Sequence, residues 1–152
     1  MNKTTITLFA AVAIAAIAFV LLGSSKQSGS GSGEPWSEKQ LMPPAELAKA
    51  IKDGKAGDIH VFNIGPSGLI KGAVDVGEGR NPANIAKLKG DLGQLQKDAQ
   101  VVVYCGCCPF KNCPNIRPAF GLLNEMGFTN HKLLDLSDNL KVDWIDKGYP
   151  MD

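Results

Sequence analysis

Short unbroken apolar runs recur along this chain, separated by stretches in which apolar residues are spaced three to four apart. The unbroken runs cover 59–63, 101–104 and 132–134, and a shorter one follows a glycine-containing bend within 70–76. Strands that are apolar on both faces are typical of a parallel sheet covered on both sides. We therefore predict these four segments as strands.

The stretches with helical spacing lie between those runs. The first begins at Pro43 and Pro44 and ends near Gly54; the others cover 81–95, with a break at Gly90 or Gly93, then 118–126 and 140–147. Proline suits the first turn of a helix, and glycine often follows the last turn. Alternating strands and helices predict an α/β fold, with a parallel sheet flanked by helices on both faces.

The first 23 residues form a separate segment. Residues 4–22 are almost wholly apolar between Lys3 and Lys26, and about 20 such residues span a bilayer as a helix. We predict an N-terminal membrane anchor at 1–23 that leaves the following domain facing the periplasm. The alternative is a signal sequence whose cleavage would release a secreted protein.

A flexible tether joins this segment to the remainder. Residues 24–35 are rich in glycine and serine, a composition that behaves as a random coil. The globular composition begins at residue 36, and 36–152 is predicted as one domain. The net charge is +1 and the charged residues are dispersed, so the chain offers no basic face for nucleic acid.

All four cysteines lie between positions 105 and 113, in the loop that joins a predicted strand to the next helix. Cys105 directly follows the strand, and ligand sites in such sheets lie beyond the carboxyl ends of strands. Lys111 and Arg117 supply nearby positive charge, and a helix start favours an anion, so the thiolate form is favoured. Cys105 is therefore a candidate nucleophile that can hold sulfur as a persulfide.

Two other uses of the loop stay open. Cys105, Cys107, Cys108 and Cys113 are soft ligands that suit copper or zinc, although no second C-x-x-C pair or nearby histidine completes a familiar metal pattern. In an oxidising compartment Cys107 or Cys108 can instead form a disulfide with Cys113. A disulfide is compatible with the nucleophilic role of Cys105.

Several short motifs recur in a fixed order from 61 to 150. They are G-L-I-K-G-A at 68–73, V-Y-C-G at 103–106, G-F at 127–128 and W-I-D-K-G-Y-P at 144–150. In order and spacing this stretch resembles the rhodanese-like domain, a sulfurtransferase module. The resemblance implies a five-stranded parallel sheet between helices, and a catalytic cysteine matching Cys105 that cycles between thiol and persulfide.

The resemblance also assigns roles within the loop. Backbone N–H groups of the loop would stabilise the sulfur anion, with Gly106 and Lys111 as the substrate-binding candidates. Arg117 is the candidate to contact the bound sulfur. The chain departs from the family at Asn63, where an acidic residue usually begins a D-x-R sequence, and at Leu69, where a histidine is usual.

A longer departure is the loop itself, which is about twice the usual length and carries three further cysteines before the helix. We therefore expect the sulfur to pass to a thiol or another acceptor, with Cys107, Cys108 or Cys113 as the candidate resolving residue. The expected partners are a small sulfur donor, a protein thiol acceptor and the membrane. No cofactor is required by this reading; the alternative is a soft-metal binding module.

Overall fold

The computed structural model describes residues 33–152. Five strands form one sheet in the order β1-β5-β4-β2-β3, and every neighbouring pair is parallel. The strands are β1 (Leu41–Met42), β2 (Ile59–Asn63), β3 (Val74–Asp75), β4 (Gln100–Tyr104) and β5 (His131–Leu134). The prediction of an α/β fold with a parallel sheet is confirmed.

The edge strand β1 was not among the strands predicted from periodicity. It has only two residues, which pair with Leu133 and Leu134 of β5. Two residues are too few to display a period, so pairing with β5 rather than local sequence makes this segment a strand.

Three α-helices connect the strands: α1 (Pro44–Lys52), α2 (Pro82–Leu92) and α3 (Ile116–Glu125). Helix α2 runs through Gly90 without interruption and ends before Gly93, so of the two predicted break positions Gly93 is confirmed and Gly90 is wrong. Helix α3 begins two residues before Pro118, which lies within the first turn, where its missing N–H costs nothing. The last predicted helix is a shorter π-helical segment, Lys141–Ile145.

The two faces of the sheet carry separate apolar clusters. Val101 and Val103 of β4 point to a cluster that includes α2 and α3 residues, whereas Val102 points to a cluster with α1 and Trp144. Successive strand residues point to opposite faces, so both sides of the apolar strand β4 are covered. The helices flank both faces, as predicted.

No helix within residues 33–152 has the length and the apolar character needed to cross a membrane. The anchor at 1–23 and the linker up to residue 32 lie outside the residues that the structure describes. Both stay predictions.

Candidate active site: the four-cysteine loop

Cys105 lies at the carboxyl end of β4, on the sheet face that packs against α2 and α3. Only 1% of the residue is exposed. The chain turns away from the strand at Gly106, whose φ of 75° is a conformation that side chains disfavour. The sequence therefore places a buried sulfur at the sheet edge where parallel sheets usually carry their sites.

Two side chains approach the sulfur of Cys105 directly. The Nδ2 atom of Asn115 donates a hydrogen bond to Cys105 Sγ at 3.3 Å, and Cys107 Sγ lies 3.2 Å from it. The pKa of Cys105 falls from its ordinary 9.0 to about 5, first because the thiol of Cys113, whose sulfur lies within 4.8 Å, stabilises the thiolate, and then because Asn115 and Cys107 hydrogen-bond to it. Burial opposes this effect but is outweighed, so the thiolate is the favoured form.

The pKa values of two neighbouring thiols are raised instead of lowered. The pKa of Cys107 is raised to about 12, first because its thiol is partly shielded from water although the residue as a whole is exposed, and then by hydrogen bonding to Cys105. The pKa of Cys113 is also raised, first by the neighbouring Cys105 sulfur and then by burial. The negative charge of the cluster therefore resides on Cys105, with protonated neighbours around it.

The four cysteines differ sharply in exposure. Cys105 and Cys113 are buried, Cys108 is half-buried and Cys107 is exposed, and all four are free thiols. The sulfurs of Cys105, Cys107 and Cys113 lie within 4.8 Å of one another, and Cys108 Sγ is 3.4 Å from Cys107 Sγ. The structure thus brings together the sulfurs that the sequence grouped only by proximity along the chain.

Two glycines allow the close packing around Cys105. A Cβ atom on Gly65 would overlap Cys105 Sγ and would lie 2.6 Å from the Cys105 carbonyl oxygen. A Cβ atom on Gly106 would lie 2.7 Å from Ser67 Oγ. The Ser67 hydroxyl donates to the Cys105 carbonyl, so the turn after β2 and the cysteine loop are packed directly against each other.

Asn63 organises that turn. The residue is buried, its Oδ1 accepts from the N–H of Gly65 at 3.1 Å, and its Nδ2 donates to the carbonyl of Ser67 at 3.2 Å. Because a neutral amide has both a donor and an acceptor, the Asn63 side chain pairs with one backbone N–H and one backbone carbonyl of this turn. Asn63 therefore has a structural role in this turn.

Arg117 braces the loop from outside. Its Nη2 atom lies 2.7 Å from both carboxylate oxygens of Glu34 and donates to the Lys111 carbonyl at 2.8 Å, while its guanidinium carbon lies 5.5 Å from the centre of the Trp36 ring. None of its hydrogen bonds within residues 33–152 reaches a cysteine sulfur. Arg117 therefore contacts the backbone of the loop, at the Lys111 carbonyl and at the Cys113 carbonyl 3.4 Å from its Nη1 atom, and its catalytic role stays a prediction.

Within the residues that the structure describes, Lys111 makes no hydrogen bond to a cysteine sulfur. Its ammonium lies 5.8 Å from the centre of the Phe110 ring, and the residue is exposed. Phe110 is buried and its N–H donates to the carbonyl of Leu136, which fixes the middle of the loop. Lys111 therefore contributes charge at the surface rather than a contact to Cys105.

Asn115 is the site residue that sequence reasoning missed. It occupies the N-cap of α3, yet its side chain makes no capping hydrogen bond. Its Nδ2 atom donates a hydrogen bond to Cys105 Sγ, and its Oδ1 atom accepts one from the N–H of Arg80 at 3.1 Å. Asparagine before a helix normally indicates a side chain that caps the first backbone N–H groups of the helix. The sequence therefore indicated a capping role for Asn115 rather than a contact with Cys105.

Two cavities border this region, and cysteines line neither. One of 560 Å³ is lined by polar residues after β2 and β3, including Gly65, Ser67 and Arg80. The other, of 730 Å³, lies between the segment at 34–41 and Phe110. Cys105 therefore does not open into either cavity, and the exposed thiol beside it is Cys107.

Neither family models nor curated proteins match this chain. The class that the fold and the site define is a parallel α/β domain with a buried cysteine at a strand end.

Proposed function

We propose that this protein is a membrane-tethered, rhodanese-like sulfurtransferase that accepts sulfane sulfur on Cys105 and passes it to a thiol outside the cytoplasm. The observation that carries the proposal is the hydrogen bond from Asn115 to a buried Cys105 sulfur with a lowered pKa. The thiolate is the nucleophilic form of cysteine. A buried thiolate that keeps its charge is suited to attack on sulfur.

The loading step can be written with thiosulfate as donor. The Cys105 thiolate attacks the outer sulfur of thiosulfate, a sulfur–sulfur bond forms to Cys105, the bond to the sulfonate sulfur breaks, and sulfite leaves with its electron pair. The product is a persulfide anion, which can accept the same hydrogen bonds from Asn115 and the backbone N–H of Cys107. An acceptor thiol then takes the outer sulfur, and Cys105 returns to the thiolate.

Mass spectrometry tests this proposal. Reduced protein treated with thiosulfate should gain the mass of one sulfur atom on Cys105, and sulfite should appear in equal amount. Cys105→Ser should gain none, whereas Cys108→Ser, the matched control from the same loop, should load normally. Absence of the added sulfur in the wild-type protein would contradict the proposal.

A second candidate function, soft-metal binding, is favoured by the three sulfurs within 4.8 Å of one another. Metal–thiolate bonds of about 2.3 Å in a tetrahedral site separate sulfurs by about 3.8 Å, so Cys105, Cys107 and Cys113 suit copper or zinc with small adjustments. The thiolates would supply both charge and ligands. Cys108 can approach as a fourth ligand because its sulfur adjoins that of Cys107.

Metal analysis of protein purified without chelator separates the two functions. Stoichiometric copper or zinc that disappears in Cys113→Ser would favour binding. Metal-free protein that takes up sulfur from thiosulfate would favour transfer. Asn112→Ala, at an exposed position in the same loop, is the control for general disturbance of the loop.

A further inference from the structure

Cys107 differs from the other cysteines because it is exposed and also touches the candidate nucleophile. Its sulfur lies 3.2 Å from Cys105 Sγ, and Cys105 itself is 1% exposed. An acceptor approaching from the solvent therefore meets Cys107 first. The two sulfurs are separated in the chain only by Gly106, so they move together with the loop.

We propose that Cys107 is a second sulfur carrier, which takes the sulfane sulfur from Cys105 and presents it at the surface to an external thiol. This inference rests on the proposed function of Cys105. The acceptor class is a thiol with an accessible sulfur, either a small molecule or a cysteine on another protein. Because Cys105 is buried, the sulfur would leave the protein through the exposed Cys107.

The transfer balances without an oxidant or a reductant. The Cys107 thiol gives its proton to the outer sulfur of the Cys105 persulfide anion, and the Cys107 sulfur then attacks that outer sulfur. A bond forms between Cys107 and that sulfur, the bond to Cys105 breaks, and the electron pair returns to Cys105 as thiolate. Cys107 persulfide in its protonated form and Cys105 thiolate are the products, with no net release of a proton.

The hydrogen bonds around Cys105 favour this direction over attack on the inner sulfur. Attack on the outer sulfur expels the Cys105 thiolate, which Asn115 stabilises by its Nδ2 donor, and a more stable thiolate leaves faster. Attack on the inner sulfur would expel sulfide and form a Cys105–Cys107 disulfide. That alternative has a different product and can be detected.

The other cysteines are less suited to the exit. Cys113 is fully buried, so a persulfide on it would be as shielded as one on Cys105. The hydrogen-bonding contact of Cys108 Sγ is with Cys107 rather than with Cys105. Cys108→Ser therefore tests whether another adjacent thiol can act as the exit, and Asn112→Ala, at an exposed position in the same loop, is the matched control that should leave transfer unchanged.

The experiment follows the added sulfur through the loop. Reduced protein is loaded with one equivalent of thiosulfate, trapped by alkylation at intervals and fragmented in the mass spectrometer. The added sulfur should appear on Cys105 and then on Cys107. In Cys107→Ser it should accumulate on Cys105, and transfer to glutathione should slow by about 10-fold or more, because an external thiol lacks the effective concentration of a neighbouring one.

Three results would overturn the relay. The first is transfer to glutathione by Cys107→Ser at the wild-type rate, and the second is slowing by Cys108→Ser equal to that of Cys107→Ser. The third is a Cys105–Cys107 disulfide with released sulfide in place of persulfide on Cys107. In the first two results sulfur still loads on Cys105 and passes to a thiol, so the proposed function stands. In the third, sulfur loads on Cys105 but leaves as sulfide, which keeps the loading step and removes transfer to a thiol; protein that never loads sulfur overturns both proposals.

Discussion

Replacing Asn115 with alanine is expected to raise the pKa of Cys105. The substitution removes the 3.3 Å hydrogen bond from Nδ2 to Cys105 Sγ. A hydrogen bond to a charged group contributes about 1.5–3 kcal/mol, and about 1.36 kcal/mol corresponds to one pKa unit. The pKa of Cys105 should therefore rise by about 1 to 2 from its value of about 5.

The rise should be partial because other donors remain. The nearby Cys113 thiol and the N–H and thiol of Cys107 still stabilise the thiolate. The pKa of Cys105 should consequently stay below its ordinary value of 9.0 in Asn115→Ala. The fraction of thiolate at neutral pH, and with it the rate of sulfur loading, should fall.

Asn115→Asp gives a sharper version of the test. It preserves the shape of the side chain and the acceptor for the N–H of Arg80, but it replaces the donor to Cys105 with a carboxylate oxygen. A like charge disfavours the thiolate. We expect Asn115→Asp to raise the pKa of Cys105 at least as much as Asn115→Ala.

Thiolate absorbance in the ultraviolet, measured against pH, is the assay, because it reports a buried sulfur without requiring reagent access. Subtraction of the Cys105→Ser titration isolates the Cys105 contribution. Asn112→Ala, an exposed asparagine in the same loop, is the control and should leave the curve unchanged. A pKa of Cys105 that is unchanged or lower in both Asn115 variants would refute the reasoning.

Three further predictions concern stability. In urea unfolding, Gly65→Ala should destabilise the fold by about 1–3 kcal/mol, because the added Cβ atom would overlap Cys105 Sγ. The control Gly57→Ala places its Cβ atom in open space and should change stability by less than about 0.5 kcal/mol. Equal effects of the two substitutions would contradict the packing argument. The pKa of Cys105 is lower in the folded state than in the unfolded chain, so ionisation of its thiol stabilises the fold; this contribution is complete above about pH 9 and disappears as pH falls through about 5. The free energy of unfolding of the wild type should therefore decrease relative to that of Cys105→Ser as pH falls across that window. A pH-independent difference would count against a lowered pKa. A double-mutant cycle of Arg117→Ala and Glu34→Gln should give a coupling of about 0.2–1 kcal/mol, as for other partly exposed ion pairs, and a coupling of zero would remove the bracing role.

The sequence alone determined the elements whose apolar pattern is long enough to specify a period. The cores of β2, β4 and β5 were predictable because buried parallel strands are unbroken apolar runs, and α1 and α2 because prolines and spaced apolar residues define their turns. The location of Cys105 at a strand end followed from the same pattern. These features depend on neighbours in the chain.

The tertiary structure decided which groups surround the sulfur. Asn115 donates a hydrogen bond to Cys105 instead of capping α3, and Arg117 forms an ion pair with Glu34. Among the four cysteines, only Cys107 is exposed. The contacts of Arg117 and Asn115 depend on how a long loop folds over segments distant in the chain, such as Glu34 and Arg80, and no local period encodes that path. Strand β1 exists for the same reason, because its two residues become a strand only when β5 lies beside them.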